Sequence, residues 1–411
     1  MTGRFLFVSL FLAATAARAQ DSARVDTLAP GVVHRHLWRA SIGAAKGPWD
    51  LHVVEVDLRR PDVAIEGEHA TGTLVGRRRT TVIAHALDSA WCRDGRRVLA
   101  AVNGDLFDLK TGENEGNQVV DGDVLKAGPV TDSPFDAVDN AHVQFAVDAR
   151  GRPLIERFAF DGRIVAGRDT LHALRLDGVN ARRGGAAVLY TRAAGAATPN
   201  DSATSAKRGA RHEAAYAVTA RRGDTLWLRR AVPARAGGAT PIPPNGVVLS
   251  VVDSGAAARL LAPGAPTDVV AVLRFAPDRG PLRTLVGGWG RLVADGDVVT
   301  ARSDTAESIL DSFSHRRHPR TVVGFSRDSA TLYLLTVDGR RATSVGMTLA
   351  ELAGAARALG LWNAMNFDGG GSSTMVVGGR LVNVPSDSAG ERTVGDALLV
   401  VRRAPRADCA R

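Results

Sequence analysis

Apolar and polar positions alternate with period two through much of this chain, and helical spacing is confined to two short stretches. Residues 51–58, Leu-His-Val-Val-Glu-Val-Asp-Leu, read as a strand, and residues 98–102 as a buried strand ending at Asn103-Gly104-Asp105. Between them residues 81–90 are spaced for a short helix. Asp121-Gly122 sits between two apolar pairs as the centre of a tight hairpin. Residues 145–154 repeat that strand–turn–strand form, and residues 291–299 do so again around Asp295-Gly296. Residues 321–325 and 331–337 are apolar strands joined by a short link.

Residues 347–359 carry the clearest helix. Thr348 and Glu351 make a capping box, Leu349, Leu352, Ala353, Ala356 and Leu359 share one face, and Gly360 follows the last turn. That helix feeds a short apolar run, residues 364–367, which delivers Asp368 to the loop Gly369-Gly370-Gly371-Ser372-Ser373. Consecutive glycines accept left-handed backbone angles, so the loop is expected to turn several N–H groups inward as an anion nest. The competing reading is a glycine-rich hairpin with a capping aspartate.

The remaining stretches are plainer. Residues 21–47 are polar and mixed, an expected lead-in. Residues 155–285 hold further short strands, with 194–210 as a surface loop and 233–245 as a turn-rich connection. The expected class is α+β (mixed α/β), a large mixed and mostly antiparallel sheet with few helices and a catalytic pocket at strand ends. The expected organisation is a signal peptide over 1–19, a lead-in with the first strands over 20–97, the main domain over 98–402 with an enlarged middle segment at about 155–285, and a tail over 403–411.

Composition narrows the function. The chain has 411 residues, 45% of them hydrophobic, enough for a sizeable core. Its formal charge is +9, nearly all of it arginine, because Lys46, Lys110, Lys126 and Lys207 are the only lysines. No arginine stripe with interleaved aromatics is present, which argues against nucleic-acid binding. Arg4, an apolar run over 5–17 and Ala17-Arg18-Ala19 form a secretory signal with cleavage near Ala19, which places the mature chain in the periplasm or outside the cell, without stable membrane insertion. Cys92 and Cys409 are the only cysteines; an oxidising compartment would let them pair, and two free thiols are the other possibility.

The strand ends carry the chemistry. Asn103 and Asn117 offer amides, Asp105, Asp338 and Asp368 carboxylates beside glycines, and Arg320 and Arg340 guanidinium forks. Amides for hydroxyls, forks for phosphate and acids for proton transfer are the groups a sugar phosphate needs. No His or Cys cluster has metal-ligand spacing, no serine-hydrolase elbow or nucleotide phosphate loop occurs, and neither metal nor cofactor is expected.

Six ordered motifs resemble the phosphodiester glycosidase domain family, that of N-acetylglucosamine-1-phosphodiester alpha-N-acetylglucosaminidase, the uncovering enzyme, and its bacterial relatives. They are Ala101-Val102-Asn103-Gly104-Asp105-Leu106-Phe107, Gly116-Asn117-Gln118-Val119-Val120, Asn140-Ala141, Pro319-Arg320-Thr321-Val322-Val323-Gly324, Val337-Asp338-Gly339-Arg340 and Asn366-Phe367-Asp368-Gly369-Gly370-Gly371-Ser372-Ser373. Asp105 stands where a glycine is commoner, and Phe367 replaces a usual leucine.

The resemblance implies an exported hydrolase that cleaves a sugar-1-phosphodiester in a glycan or envelope polymer and releases the sugar from the phosphate. It implies Asp368 at the anomeric centre, as base or nucleophile, and Asp338 as its partner or orienter. Arg320, and less directly Arg340, would take the phosphate with the glycine-loop N–H groups, while Asn103 and Asn117 hold sugar hydroxyls or shape the pocket. The other readings are a glycosidase with no phosphate requirement, or a glycan- or sugar-phosphate-binding protein of exopolysaccharide assembly that hydrolyses nothing.

Overall fold

The structure, a computed structural model, describes residues 21–135, 138–166, 173–181, 186–200, 211–252, 260–262 and 264–403. The signal-like residues 1–19, the 201–210 part of the expected surface loop, the 404–411 part of the tail and Cys409 lie outside the described residues. Cys92 is disulfide-bonded.

Two sheets packed face to face form the frame. The first has eight strands, in the order Ser22–Ala29, Val32–Ile42, Ala45–Asp57, Thr331–Val337, Arg320–Phe325, Asn363–Asn366, Arg291–Ala294 and Asp297–Val298. The second runs Arg380–Leu381, Met375–Val377, Arg96–Asn103, Asp396–Arg403 and Val63–His69. Val54, Val323, Leu334 and Met365 of the first sheet pack against Val102, Leu398 and Val400 of the second. The next residue along each strand faces the other way: Val53, Val322, Leu335 and Ala364 lie under helix Leu349–Ala358, against its Leu349, Leu352 and Ala353. Both faces of these strands are therefore buried, so their sequences read as near-continuous apolar runs. Helix Thr80–Cys92 covers the outer face of the second sheet through Ile83 and Ala84. The result is a helix–sheet–sheet–helix stack.

The middle of the chain builds a nine-stranded sheet, which shares a core with a second five-stranded one through Val119, Ala146 and Leu285. Among the described strands, only Gly178–Val179 with Ala187–Tyr190 pairs in parallel. The α+β class with few helices and mostly antiparallel pairing is thus the observed one, its strands divided among several sheets.

Local sequence chemistry explains several boundaries. Both Asp-Gly hairpins have the two positive φ angles a right-twisting two-residue turn demands, 46° and 81° at Asp121-Gly122 and 50° and 85° at Asp295-Gly296. The capping box is present: Glu351 N donates to Thr348 Oγ1 at 3.1 Å and Thr348 N to Glu351 Oε2 at 3.0 Å. The expected lead-in is different in the structure. Residues 21–47 are strands Ser22–Ala29 and Val32–Ile42 and the start of Ala45–Asp57. Ser22–Ala29 is a largely exposed edge strand, so it lacks the apolar face that marks a strand in sequence.

The segment over 367–374 leaves the first sheet at Asn366 and enters the second at Met375. It is the crossing point of the sandwich, and it carries Asp368 and the glycines.

Candidate active site

Asn103 pins this crossing. Its Nδ2 donates to the carbonyl of Asp368 at 2.8 Å, and its Oδ1 accepts from Thr374 N at 3.1 Å and from Thr321 Oγ1 at 2.7 Å. Asp368 N donates to Gly104 O at 2.9 Å. Asn103 is fully buried with its amide spent on protein, so it shapes the site.

The glycine loop is a single 3₁₀ turn, Gly370–Ser372, and not an open nest. Only Gly370 of the three glycines has a left-handed φ, 61°. Gly369 N donates to Asp368 Oδ1 at 2.8 Å, Gly370 N to Pro319 O at 2.9 Å, Ser372 N to Gly369 O at 3.1 Å and Ser373 N to Gly370 O at 3.3 Å. The amides expected to face an anion are thus largely taken by the turn and by Asp368 itself.

Asp368 is half-buried and lines a cleft of about 610 Å³ with Glu115, Lys126, Phe135 and Arg392. Desolvation raises its pKa, opposed by hydrogen bonds from Ser372 and Gly369 N and by the charges of Arg392 and Arg320. Burial, then the neighbouring Asp105 carboxylate, push Glu115 up to about 8, and Asp368 adds to the rise. Two carboxyl groups thus share one cleft, both raised by burial: Glu115 stays protonated at neutral pH, and the rise of Asp368 is opposed by four favourable partners.

Asp105 lies behind them. Its Oδ2 accepts from Gly116 N at 2.7 Å, and its own N donates to Asp396 Oδ1 at 2.9 Å. Both Asp105 and Asp396 are buried, and desolvation raises both pKa values. A Cβ at Gly287 would lie 2.3 Å from the Asp105 carboxylate, so that glycine makes room for the acid. Lys126 balances the acids at the cleft wall, 3.1 Å from Glu113 Oε1 and 3.1 Å from Asp132 Oδ2.

The expected arginines sit on the far side of the glycine loop. Arg320 is fully buried; its Nε donates to Met347 O at 2.9 Å and its Nη2 to Phe313 O at 2.5 Å and Arg316 O at 3.1 Å. Nη1 has no partner among the described residues. Burial, with Arg340 adding to it, pushes its pKa down to about 9. Arg340, exposed and with a left-handed φ of 59°, reaches His318 Nδ1 at 3.2 Å beside Gly370.

Asp338 does not share the Asp368 cleft. Its two oxygens accept from Asn383 Nδ2 at 3.1 Å and Val384 N at 2.9 Å, and burial pushes its pKa up to about 6. Asn383 also accepts from Met375 N at 2.7 Å and donates to Ser373 O at 3.0 Å, so Asp338 supports the exit of the glycine loop. Asn117 is likewise bound by protein, donating to Phe158 O at 3.0 Å and accepting from Gly128 N at 2.8 Å.

The cleft adds residues that the motif reading passed over: Glu115, Lys126, Arg392 and, behind them, Asp396. Glu115 directly precedes the Gly116-Asn117 motif, Lys126 is one of four lysines, and Asp396 heads an apolar strand. Arg392 holds Asp387 with both arms, at 2.7 and 3.0 Å, and its Nη1 lies 3.4 Å from Ser372 Oγ. A slightly larger cleft of about 640 Å³, beside His85 and Asp88, contains none of the expected site residues.

Residues 218–401 match the family model described as phosphodiester glycosidase. The segment over 218–401 thus resembles the phosphodiester glycosidase family. The matched segment includes Arg320, Asp338, Arg340 and the whole 366–373 motif. The motifs around Asn103 and Asn117 lie ahead of it.

Over 114 residues the chain is 40% identical to the SPbeta prophage-derived uncharacterized protein YomE of Bacillus subtilis (strain 168), across 28% of this chain and 16% of that protein. It is 32% identical over 114 residues to the N-acetylglucosamine-1-phosphodiester alpha-N-acetylglucosaminidase of Mus musculus, across 26% of this chain and 22% of the enzyme. The alignments thus span less than a quarter of either relative. In fold, the chain is similar to a putative exported protein from Burkholderia pseudomallei K96243, with a TM-score of 0.68 at 21% identity over 98% of this chain and 100% of that one.

Proposed function

We propose that this chain is a phosphodiester glycosidase that hydrolyses a sugar-1-phosphodiester of the alpha-N-acetylglucosamine-1-phosphate type in a glycan or envelope polymer. The observation that carries the reading is Asp368, held on the crossing loop of a family-matched segment and lining a cleft with a protonated Glu115 and with Arg392. Asp368 acts at the anomeric carbon, as base toward water or as nucleophile. The bond from that carbon to the phosphate oxygen breaks, its electron pair stays on the phosphate, and a phosphomonoester departs. Such a leaving group needs little protonation, and Glu115 supplies what is needed. Arg392 and Lys126 face the single negative charge of the diester.

We further place the chain outside the cytoplasm, in the periplasm or secreted, with carbohydrate as its partner. The apolar run before Ala17-Arg18-Ala19 and the disulfide at Cys92 support that location. Among the described residues no helix is long and apolar enough to cross a membrane.

The test is turnover of an alpha-N-acetylglucosamine-1-phosphodiester beside the matching non-phosphate glycoside, with wild type and Asp368→Asn. Sugar release from the diester alone, reduced about 10²–10⁴-fold in the variant, is the expected result. Binding of the diester without release, unchanged in Asp368→Asn, would replace the hydrolase with a sugar-phosphate-binding protein.

A further inference from the structure

A second polar cluster lies on the opening hairpin, away from the Asp368 cleft. His34 and His36 alternate on strand Val32–Ile42, and Asp50 and His52 on Ala45–Asp57. His36 pairs directly with His52 across the ladder. None of these residues has metal-ligand spacing in sequence; the register brings them together. The ligand atoms of His36, Asp50 and His52 all lie within 4.8 Å of one another. His36 Nε2 is 2.5 Å from Asp50 Oδ1, and His52 Nε2 is 3.8 Å from the same oxygen. The rings of His36 and His52 stack at 3.9 Å.

His34 stands behind the trio. Its Nε2 is 3.1 Å from His52 Nδ1, and its Nδ1 is 3.9 Å from Asp26 Oδ2. His34 and His52 are buried, and burial lowers the pKa of both, that of His52 to about 3. Each imidazole has one ring nitrogen that can offer a lone pair to a metal. The hydrogen bond between His34 Nε2 and His52 Nδ1 leaves His52 Nε2 turned toward the Asp50 carboxylate, on the same side as His36 Nε2. The histidines open onto a cavity of about 510 Å³, closed on its other side by residues 377–382 and edged by Arg24, Asp26 and Arg380.

We propose that His36, Asp50 and His52 bind a divalent transition metal ion, with His34 positioning His52 and a fourth place open to water from the cavity. Two imidazoles and a carboxylate with one open position are a donor set suited to zinc. His34 and Asp26 would supply the outer hydrogen bonds that fix the tautomer of a metal-bound imidazole.

The experiment uses tag-free, EDTA-stripped full-length mature protein titrated calorimetrically with Zn²⁺, with Co²⁺ uptake followed by its visible absorption. The expected result is one ion per chain, loss of binding in His36→Ala and His52→Gln, and roughly 10–100-fold weaker binding in His34→Gln. Circular dichroism of each variant checks folding, and phosphodiester turnover is expected to be unchanged. Absence of stoichiometric Zn²⁺ uptake and of a Co²⁺ band in wild type would overturn the site whatever the variants do. Equal uptake by wild type and folded His52→Gln would overturn it as well.

Discussion

Asn103 Nδ2 holds the backbone carbonyl of Asp368 at 2.8 Å, so a residue ending one sheet fixes the acid that leaves the other. Asn103→Ala strips partners from Asp368 O, Thr374 N and Thr321 Oγ1 at once. Each buried group left unpaired costs about 1–3 kcal/mol. We expect a clear loss of denaturant stability, and a kcat reduced about 100-fold in the protein that still folds, because Asp368 loses its position. Wild-type kcat in folded Asn103→Ala would separate the two sheets' junction from the chemistry.

Glu115, at about 8, is protonated through the neutral range and loses its proton as the pH rises past that value. Turnover that uses it as an acid therefore falls on the alkaline side with an apparent pKa near 8. Glu115→Gln is expected to remove that alkaline limb and to slow activated aryl leaving groups less than alkyl ones. A limb that persists in the variant assigns it to another group.

The same group makes stability depend on pH, and the sign is fixed by direction. A carboxyl whose folded pKa is raised contributes stability fully present below its unfolded pKa and lost as pH rises through the folded one. The buried histidines His34, His52 and His69 are shifted downward, and their contribution is lost only on acidification. Above about pH 7.5 these histidines are mostly neutral in both states, and Arg320, lowered to about 9, opposes the trend only at the upper end, so the window from about 7.5 to 8.5 is dominated by the raised acids. Urea unfolding should show stability falling there by up to about 1.4 kcal/mol per pH unit for each proton, with a shallower slope in Glu115→Gln. A flat profile in wild type would mean that these carboxyls are ionised in the folded protein.

The two arginines should separate cleanly. Arg392 reaches the cleft, so Arg392→Gln is expected to raise KM for the phosphodiester about 10-fold and to leave binding of a neutral glycoside unchanged. Arg320 ties residues 313 and 316 to Met347 from a fully buried position. Arg320→Lys cannot reproduce three carbonyl contacts and should cost about 2–4 kcal/mol in thermal or denaturant unfolding. A stable Arg320→Lys with raised KM would move the phosphate contact to Arg320.

Elements set by neighbouring residues were legible in the sequence. Thr348 and Glu351 announce a helix start, and Asp121-Gly122 and Asp295-Gly296 announce turns, because the interacting atoms lie within a few residues. The crossing loop was legible as a glycine run after a strand. Its amide economy was not, since Gly370 N finds its acceptor in Pro319, a residue far back in the chain. Glu115 and Asp396 were hidden for the same reason. What distinguishes them is desolvation by a fold that assembles distant segments. The His36–His52 pairing needed the ladder register, and edge strand Ser22–Ala29 had no buried face to show.

Strand Ala45–Asp57 gains its second neighbour only from Thr331–Val337, and its contacts run as far as Trp49 Nε1 to Gly346 O, 297 residues away. The ribosome thus delivers the opening hairpin long before the strand that completes it. Until then one edge of Ala45–Asp57 stays unpaired, and closing so large a loop makes assembly slow. A product terminated before residue 331 would present that bare edge to other copies and aggregate.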